Sequence, residues 1–426
     1  MILSSKTIEK ELHKEDKLKI LFVFPLMFLI FGVFIEFTLD SSFVSIIQGL
    51  KKILISPTIL ITDFLVIGGM GASFINSSLI GFLNLYILRK YEMRINGLLI
   101  AAFMTVLGFS FFGKNLYNIM PIYLGGYLYC KFQNISIKEI ILIIMFTTGL
   151  SPIVSEISYA GIFPAPYSII FGMLIGVFLG FCTVPLSSHM LKFHDGFNLY
   201  NIGFTAGIVG TVFTSILRSF DITINPVEII YLDMNYYMLC FFIALFVYLM
   251  IVGVYVNASA FKDYYKILKY KGRTITDFTH LVGYGITFFN MGLMGLLSIA
   301  YVIIVGGVIN GPVIAAIFTI VGFSAFGKHP RNSLPIMIGV IIAAVAMGYD
   351  LSSTGIIISV LFSTTIAPIA GTYGPIIGIL AGMLHMALVT NIGVIHGGIN
   401  LYNNGFSGGL VAGFLVPIID AFKKGE

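Results

Sequence analysis

Charge is what this sequence has least of. Asp, Glu, Lys and Arg make up 10% of its 426 residues and apolar side chains 58%, whereas a soluble domain carries about 25% charged residues. That deficit excludes a water-soluble globule of this size. Trp is absent, so the 22 Tyr must supply most of the amphipathic rings that a membrane boundary favours. Only three Cys occur, Cys130, Cys182 and Cys240, each inside an apolar stretch. They form no disulfide framework and have no metal-ligand spacing, so they read as small buried apolar residues. No Gly-x-x-x-x-Gly-Lys-Ser/Thr is present, which excludes nucleotide hydrolysis by that loop, and no His-Glu-x-x-His. Gly68-Gly69-x-Gly71 and Gly283-x-Gly285 lie in apolar surroundings, where they suit close helix packing rather than phosphate binding. The net charge of +5 comes from short basic clusters between apolar runs, so it does not point to nucleic acid. No metal, no cofactor and no enzymatic activity are expected.

Long apolar runs recur instead, for example over 20–37, 238–256 and 296–309. About 20 such residues cross the hydrocarbon core as a helix. Dry lipid makes each segment satisfy its own backbone, and continuous rather than alternating runs argue against a barrel. The fold class is therefore all-α and polytopic. Residues 1–19 are too charged for a cleaved signal, and the run after them is too long. They read as a cytoplasmic tail, with an amphipathic surface helix over 5–18 leading into a retained first helix.

The chain repeats itself. Residues 61–125 align with 275–339 without gaps, and 28 of the 65 pairs are identical, against roughly five expected from composition. The matches include Ile-Thr-Asp-Phe at 61–64 and 275–278, Asn76 with Asn290, and Asn96-Gly97 with Asn310-Gly311. They continue through Gly-Phe-Ser-x-Phe-Gly-Lys at 108–114 and 322–328, then Asn118/Asn332, Pro121/Pro335 and Gly125/Gly339. Phe146-x-Thr148-x-x-x-Pro152 recurs as Phe362-x-Thr364-x-x-x-Pro368. His194-x-Gly-x-Asn-Leu-Tyr-Asn recurs from His396. These blocks divide the chain into 1–57 (tail, first helix and interfacial segment), repeat one at 58–220, a connector at 221–271 and repeat two at 272–426.

Basic loops mark the cytoplasmic face. Arg89, Lys90 and Arg94 follow the first helix of repeat one, whereas the matching loop at 302–309 is uncharged. Repeat two instead begins after Lys262, Lys266, Lys269, Lys271 and Arg273, and Lys423 and Lys424 close the chain. Lys51, Lys52 and Lys114 fall on the opposite side as exceptions. The motif stays while the charge bias flips, which is the mark of inverted-topology repeats. The expected layout is about 14 membrane segments, some broken or re-entrant, in the plasma membrane with both termini cytoplasmic.

In such folds the solute meets broken helices near the midplane, and paired Gly or Pro interruptions point to the place. Three interruptions qualify. At the first, Lys114 and Lys328 precede Asn118 and Asn332, with Pro121 and Pro335 expected in the first turn of a restarting helix. A capping Asn and a snorkelling Lys are the plain alternative. At the second, Pro152 and Pro368 free a carbonyl near Thr148 and Thr364, either lining a path or merely kinking. The third stretch carries His194, Asn198 and Asn201, mirrored by His396, Asn400 and Asn403; an unwound polar stretch at membrane depth must be buried or line water. Asp63 and Asp277 are the acidic residues repeated in both copies. They suggest ion or proton coupling, or helix caps.

The Phe-Gly-Lys-x-x-x-Asn-x-x-Pro and His-x-Gly-x-Asn-Leu-Tyr-Asn elements resemble an uncharacterised family of multi-pass prokaryotic membrane proteins, catalogued as a domain of unknown function. The resemblance covers nearly the whole chain and implies no substrate. Duplicated halves with short broken helices also resemble urea-type channels and secondary carriers at the level of fold. The expectation is a secondary carrier or facilitator for a small polar solute, anionic or neutral, bound where the repeats meet. Passive channel, intramembrane lipid-modifying enzyme with His194 and His396 as bases, and scaffold are the competing readings. Doubling of nearly every polar motif favours a shared path over one asymmetric catalytic site. The expected partners are the bilayer and, as an open question, a second copy of the chain.

Overall fold

A computed structural model describes residues 12–38, 42–224, 227–273 and 276–423. Residues 5–11 of the expected tail helix at 5–18, together with Ile275 and Lys424, lie outside the described residues. The described chain is all-α, and ten of its helices are long and apolar enough to cross a membrane. It is a multi-pass membrane protein. Large apolar side chains stand bare on its surface, Ile304 at 82% and Phe132 at 71% exposure, as lipid allows and water does not.

The first half carries α1 (Lys14–Thr38), α2 (Phe43–Ile55), α3 (Phe64–Ile67), α4 (Met70–Lys90) and α5 (Gly97–Phe109). It continues with α6 (Leu116–Gln133), α7 (Ile137–Thr147), α8 (Ser151–Tyr159), α9 (Tyr167–Phe193) and α10 (Asn201–Ser219). The second half carries α11 (Tyr236–Val256), α12 (Ala260–Asp263), α13 (Phe278–Leu281), α14 (Gly283–Ile304) and α15 (Gly311–Phe323). Then come α16 (Pro330–Ala346), α17 (Thr354–Ser363), α18 (Ala367–Tyr373), α19 (Pro375–Ile392) and α20 (Asn403–Lys423). The helices expected from the repeat thus recur in order, α3–α10 against α13–α20. Residues 14–18 of the expected tail helix belong to α1 and run on into the first span as one helix.

The difference from about 14 expected crossings lies in α5, α6, α15 and α16, which are not among the ten, whereas α7–α8 and α17–α18 each count as one of them. Helices α5 and α15 have 13 residues each, about 20 Å at 1.5 Å per residue, too short for a 30 Å core. They are apolar all round and buried nearly throughout, as central helices must be. Single 3₁₀ turns, Thr148–Leu150 and Thr364–Ile366, interrupt α7–α8 and α17–α18. One correction follows. Pro121 and Pro335 lie inside α6 and α16, not in the first turn, and Pro330 holds the first-turn place in α16. The cause is the cap: Asn115 and Asn118 form a capping box, and Asn332 Oδ1 accepts from His329 N, so each helix starts before the expected proline. The proline rings fit instead against glycines of the next long helix, Pro121 at Gly176 and Pro335 at Gly378.

Equivalent helices meet each other by reciprocal contacts. A Cβ on Gly108 would lie 2.9 Å from Ala315 Cα, and one on Gly322 would lie 3.0 Å from Ala101 Cα. Both glycines let α5 and α15 cross backbone to backbone. Helices α10 and α20 repeat the device, with Gly207 under Phe406 and Gly409 under Phe204. Along α1 and α11, Phe34 pairs with Tyr237, Phe31 stacks on Phe241 at 4.2 Å, and Phe24 meets Tyr248. In all three pairs residue numbers rise on one helix as they fall on the other, so each pair is antiparallel. Phe28, Phe74, Phe111 and Phe318 pack edge to face between them at 4.8–5.6 Å, each pair contributing about 0.5–1.5 kcal/mol beyond burial.

Candidate functional site

The centre of the molecule is built at the chain breaks. Gly113 and Gly327 end their helices with φ of +87° and +92°, a conformation that glycine takes without Cβ strain. The next residues, Lys114 and Lys328, are fully buried. Asn76 Nδ2 donates to the carbonyls of Ser110 and Lys114 at 2.7 and 2.9 Å. Asn290 does the same for Ser324 and Lys328 at 2.7 and 2.8 Å. Carbonyls freed by the break are thus satisfied from α4 and α14, as burial demands.

Each lysine reaches its own repeat's threonine and the other repeat's tyrosine. Lys114 Nζ donates to Thr148 Oγ1 at 2.8 Å and to the Tyr402 hydroxyl at 2.5 Å. Lys328 Nζ donates to Thr364 Oγ1 at 2.7 Å and to the Tyr200 hydroxyl. The threonine hydroxyls donate onward to Met145 O and Leu361 O, three residues back. Thr148 and Thr364 therefore both stabilise the kink and receive the lysine. The ammonium groups also sit against aromatic faces, Lys114 at 4.9 Å from the Tyr402 ring and Lys328 at 4.3 Å from the Tyr200 ring. Among the described residues neither lysine has a carboxylate partner; the ion pairs there involve Lys19, Lys266 and Arg273.

The polar stretches pin the two halves together. Asn198 Nδ2 donates to Gly405 O at 2.9 Å, and Asn400 Nδ2 donates to Gly203 O at 3.4 Å. Their side-chain oxygens accept from the backbone of Tyr200 and Tyr402. His194 pairs with Asn201 at 3.1 Å and His396 with Asn403 at 2.9 Å through Nε2. Asn201 and Asn403 each donate to a carbonyl of the preceding long helix, Ser187 O and Val389 O. Asp63 accepts from Leu65 N, capping α3, and across the boundary from Gly311 N at 3.1 Å. Asp277 caps α13 through Thr279 N and accepts from Gly97 N at 3.2 Å. Each aspartate thus holds the first residue of the other repeat's central helix.

A cavity of about 240 Å³ lies where these parts meet. From both repeats it is lined by Thr105 and Thr319, Phe109 and Phe323, Tyr200 and Tyr402, and Phe146 and Phe362. Of the twelve solute-binding residues expected from sequence, only Asn201 lines it. Lys114, Lys328, Thr148 and Thr364 stand one ring behind the wall, held by the lining tyrosines. Asn118 and Asn332 spend their amides on the helix caps and on Gly113 O and Gly327 O. Asn198 and Asn400 form the buried staple between the halves, while His194, His396 and Asn403 are bonded within their own repeats.

Thr105, Thr319, Ser187, Ser188 and Asn404 line the cavity and were not anticipated. Thr105 and Thr319 are one of the identical repeat pairs, and the tyrosines belong to the repeated Asn-Leu-Tyr-Asn element, so both carried a signal. Ser187, Ser188 and Asn404 carried none, because their counterparts are Val389, Thr390 and Ile202.

The lining is one-sided. Leu98, Leu142, Ser187, Ser188 and Leu191 belong to it, whereas their counterparts Pro312, Ile358, Val389, Thr390 and Gly393 do not. The family described as "protein of unknown function (DUF1576)" matches residues 43–219 and 256–421. No curated protein and no solved structure matches.

Proposed function

The chain belongs to the DUF1576 family, and we propose that it is a membrane carrier whose two inverted repeats hold a small solute, anionic or neutral, in the cavity between them. The observation that carries the reading is the reciprocal exchange at the centre: each buried lysine is satisfied by the tyrosine of the opposite repeat, and those two tyrosines wall the cavity. A contact made twice in exchanged form is what a two-fold relation produces. The antiparallel pairing of α1 with α11, α5 with α15 and α10 with α20 supports an axis in the membrane plane, hence inversion.

This reading also extends the repeats. Gly32 of α1 meets Gly71 as Gly253 of α11 meets Gly285. Asn115 Nδ2 donates to Ile53 O as His329 Nε2 meets Tyr270 O. The first helix and the connector are then the leading elements of repeats one and two rather than additions.

The cytoplasmic end is the basic one. Lys17 of α1 lies 4.2 Å above the Tyr284 ring at the start of α14, and the Tyr284 hydroxyl donates to Ile95 O just after Arg94. Arg273 pairs with Asp195 after α9 at the same end. Leu98 and the Ser187–Leu191 turn of α9 lie toward that end, so the cavity faces the cytoplasm. Its lining from one end supports alternation rather than an open pore. In the outward state the counterparts take over the lining: Pro312, Ile358, Val389 and Thr390. Asp63 and Asp277 act in this scheme as clamps that keep each central helix seated on the other repeat.

Reconstituted liposomes test the proposal. Saturable uptake that Asn201→Ala reduces at least 10-fold is the expected result. Accessibility labelling with Cys at Glu92 and Gly306 tests the topology. Labelling of both from the same side of the membrane overturns inversion.

A further inference from the structure

We infer that the solute is an organic anion of the aryl-carboxylate class, with an apolar ring and one negative group; this rests on the carrier reading and narrows its substrate. Three features of the cavity carry the inference. The first is its wall. Phe109, Phe146, Phe323 and Phe362 with Tyr200 and Tyr402 surround about 240 Å³, room for a one-ring solute. Phe109 and Phe362 lie 5.5 Å apart at 25°, and Phe146 and Phe323 lie 5.8 Å apart at 32°. Rings of this kind replace no hydration shell, so a small hydrophilic ion or urea-like solute would lose water without compensation.

The second is charge. Among the described residues neither buried lysine has a carboxylate partner, and their Nζ atoms lie 4.3 to 5.4 Å from rings that line the cavity. An anion in front of the apolar wall favours the protonated form of these amines and is held by it, whereas a cation opposes it. The third is the pair of donors left open. Thr105 Oγ1 is buried and has no partner among the described residues, whereas its counterpart Thr319 donates to Ala315 O. Asn404 presents its oxygen to His385 Nε2 at 3.0 Å, which fixes the amide so that Nδ2 is the end left over. A hydroxyl and an amide N–H are suited to a carboxylate oxygen. A wholly apolar solute would leave both unmet.

Binding by the purified full chain in nanodiscs decides the matter, measured calorimetrically with benzoate, benzamide, benzylammonium and inorganic phosphate. Benzoate is expected to bind at least 10-fold more tightly than benzamide, with benzylammonium and phosphate weaker than either. Lys114→Met and Lys328→Met are expected to bring the benzoate-to-benzamide ratio close to one while benzamide binding persists. Should those variants fail to fold, the wild-type ratio still decides. A ratio near one in the wild type, tighter binding of benzylammonium or phosphate, or no benzoate binding at 10 mM overturns the inference. Benzoate binding without uptake into liposomes removes the carrier reading and leaves the ligand class standing. Saturable uptake of a neutral amide with no benzoate binding does the reverse.

Discussion

Replacing Asp63 separates a clamp from a coupling carboxylate. The side chain is fully buried and accepts from Leu65 N at 2.9 Å, Gly311 N at 3.1 Å and Tyr231 N at 3.2 Å. Asp63→Ala strands three N–H groups, two of them in buried surroundings. Leaving a buried donor unmet costs about 1–3 kcal/mol, and losing a cap about 1 kcal/mol. Because the three share one carboxylate they do not add fully, so a loss of about 3–5 kcal/mol is expected. Asp63→Asn keeps one oxygen and turns an NH₂ toward at least one donor, so about half of that loss is expected. Asp277 is partly exposed and, among the described residues, accepts across the boundary from Gly97 N alone, so Asp277→Ala is expected to lose about 1–3 kcal/mol. Denaturant unfolding in mixed micelles reads the order Asp63→Ala, then Asp63→Asn and Asp277→Ala. Gradient-driven uptake is measured on the same preparations. If Asp63→Asn leaves stability within about 0.5 kcal/mol of wild type yet abolishes accumulation against a gradient, the clamp argument is refuted and the carboxylate couples.

Gly108→Ala and Gly322→Ala should each destabilise the protein by about 1–3 kcal/mol through overpacking, and by similar amounts. Unequal losses in the same unfolding assay would contradict the reciprocal crossing of α5 and α15. Cys placed at Ser188 should react with a cytoplasmic-side thiol reagent and be protected by bound solute. Cys at Thr390 should react from the opposite side only when the outward state is populated; reaction of both from one side would rule out exchange of lining between the repeats. Tyr402→Phe removes one acceptor from Lys114 and should weaken solute binding about 10-fold while retaining the fold, checked by calorimetry beside circular dichroism. Unchanged binding would separate the lysine–tyrosine pair from the cavity.

Much was legible in the sequence because lipid is a demanding solvent. A charge content of 10% and runs of about 20 apolar residues determined a multi-pass helical protein. The ungapped match between 61–125 and 275–339 determined that one unit is used twice. It also marked the places that matter, since Gly-Lys, Thr-x-x-x-Pro and Asn-Leu-Tyr-Asn are local breaks written in local residues. Which atoms those breaks bring together was decided by the tertiary structure. Lys114 and Tyr402 are 288 positions apart and Asp63 and Gly311 are 248 apart, and nothing in either segment alone specifies its partner. The same holds for the cavity. Beside Asn201 and Thr319, its polar lining comes from Thr105, Ser187, Ser188 and Asn404, side chains unremarkable in their own helices that share a wall only through the packing of α5, α9 and α20 around it. The conspicuous asparagines were drawn onto backbone carbonyls, Asn198 and Asn400 across the halves and Asn201 and Asn403 within them, with the histidines bonded to the latter pair, since polar backbone at a helix break must be satisfied before any side chain is free to meet a solute.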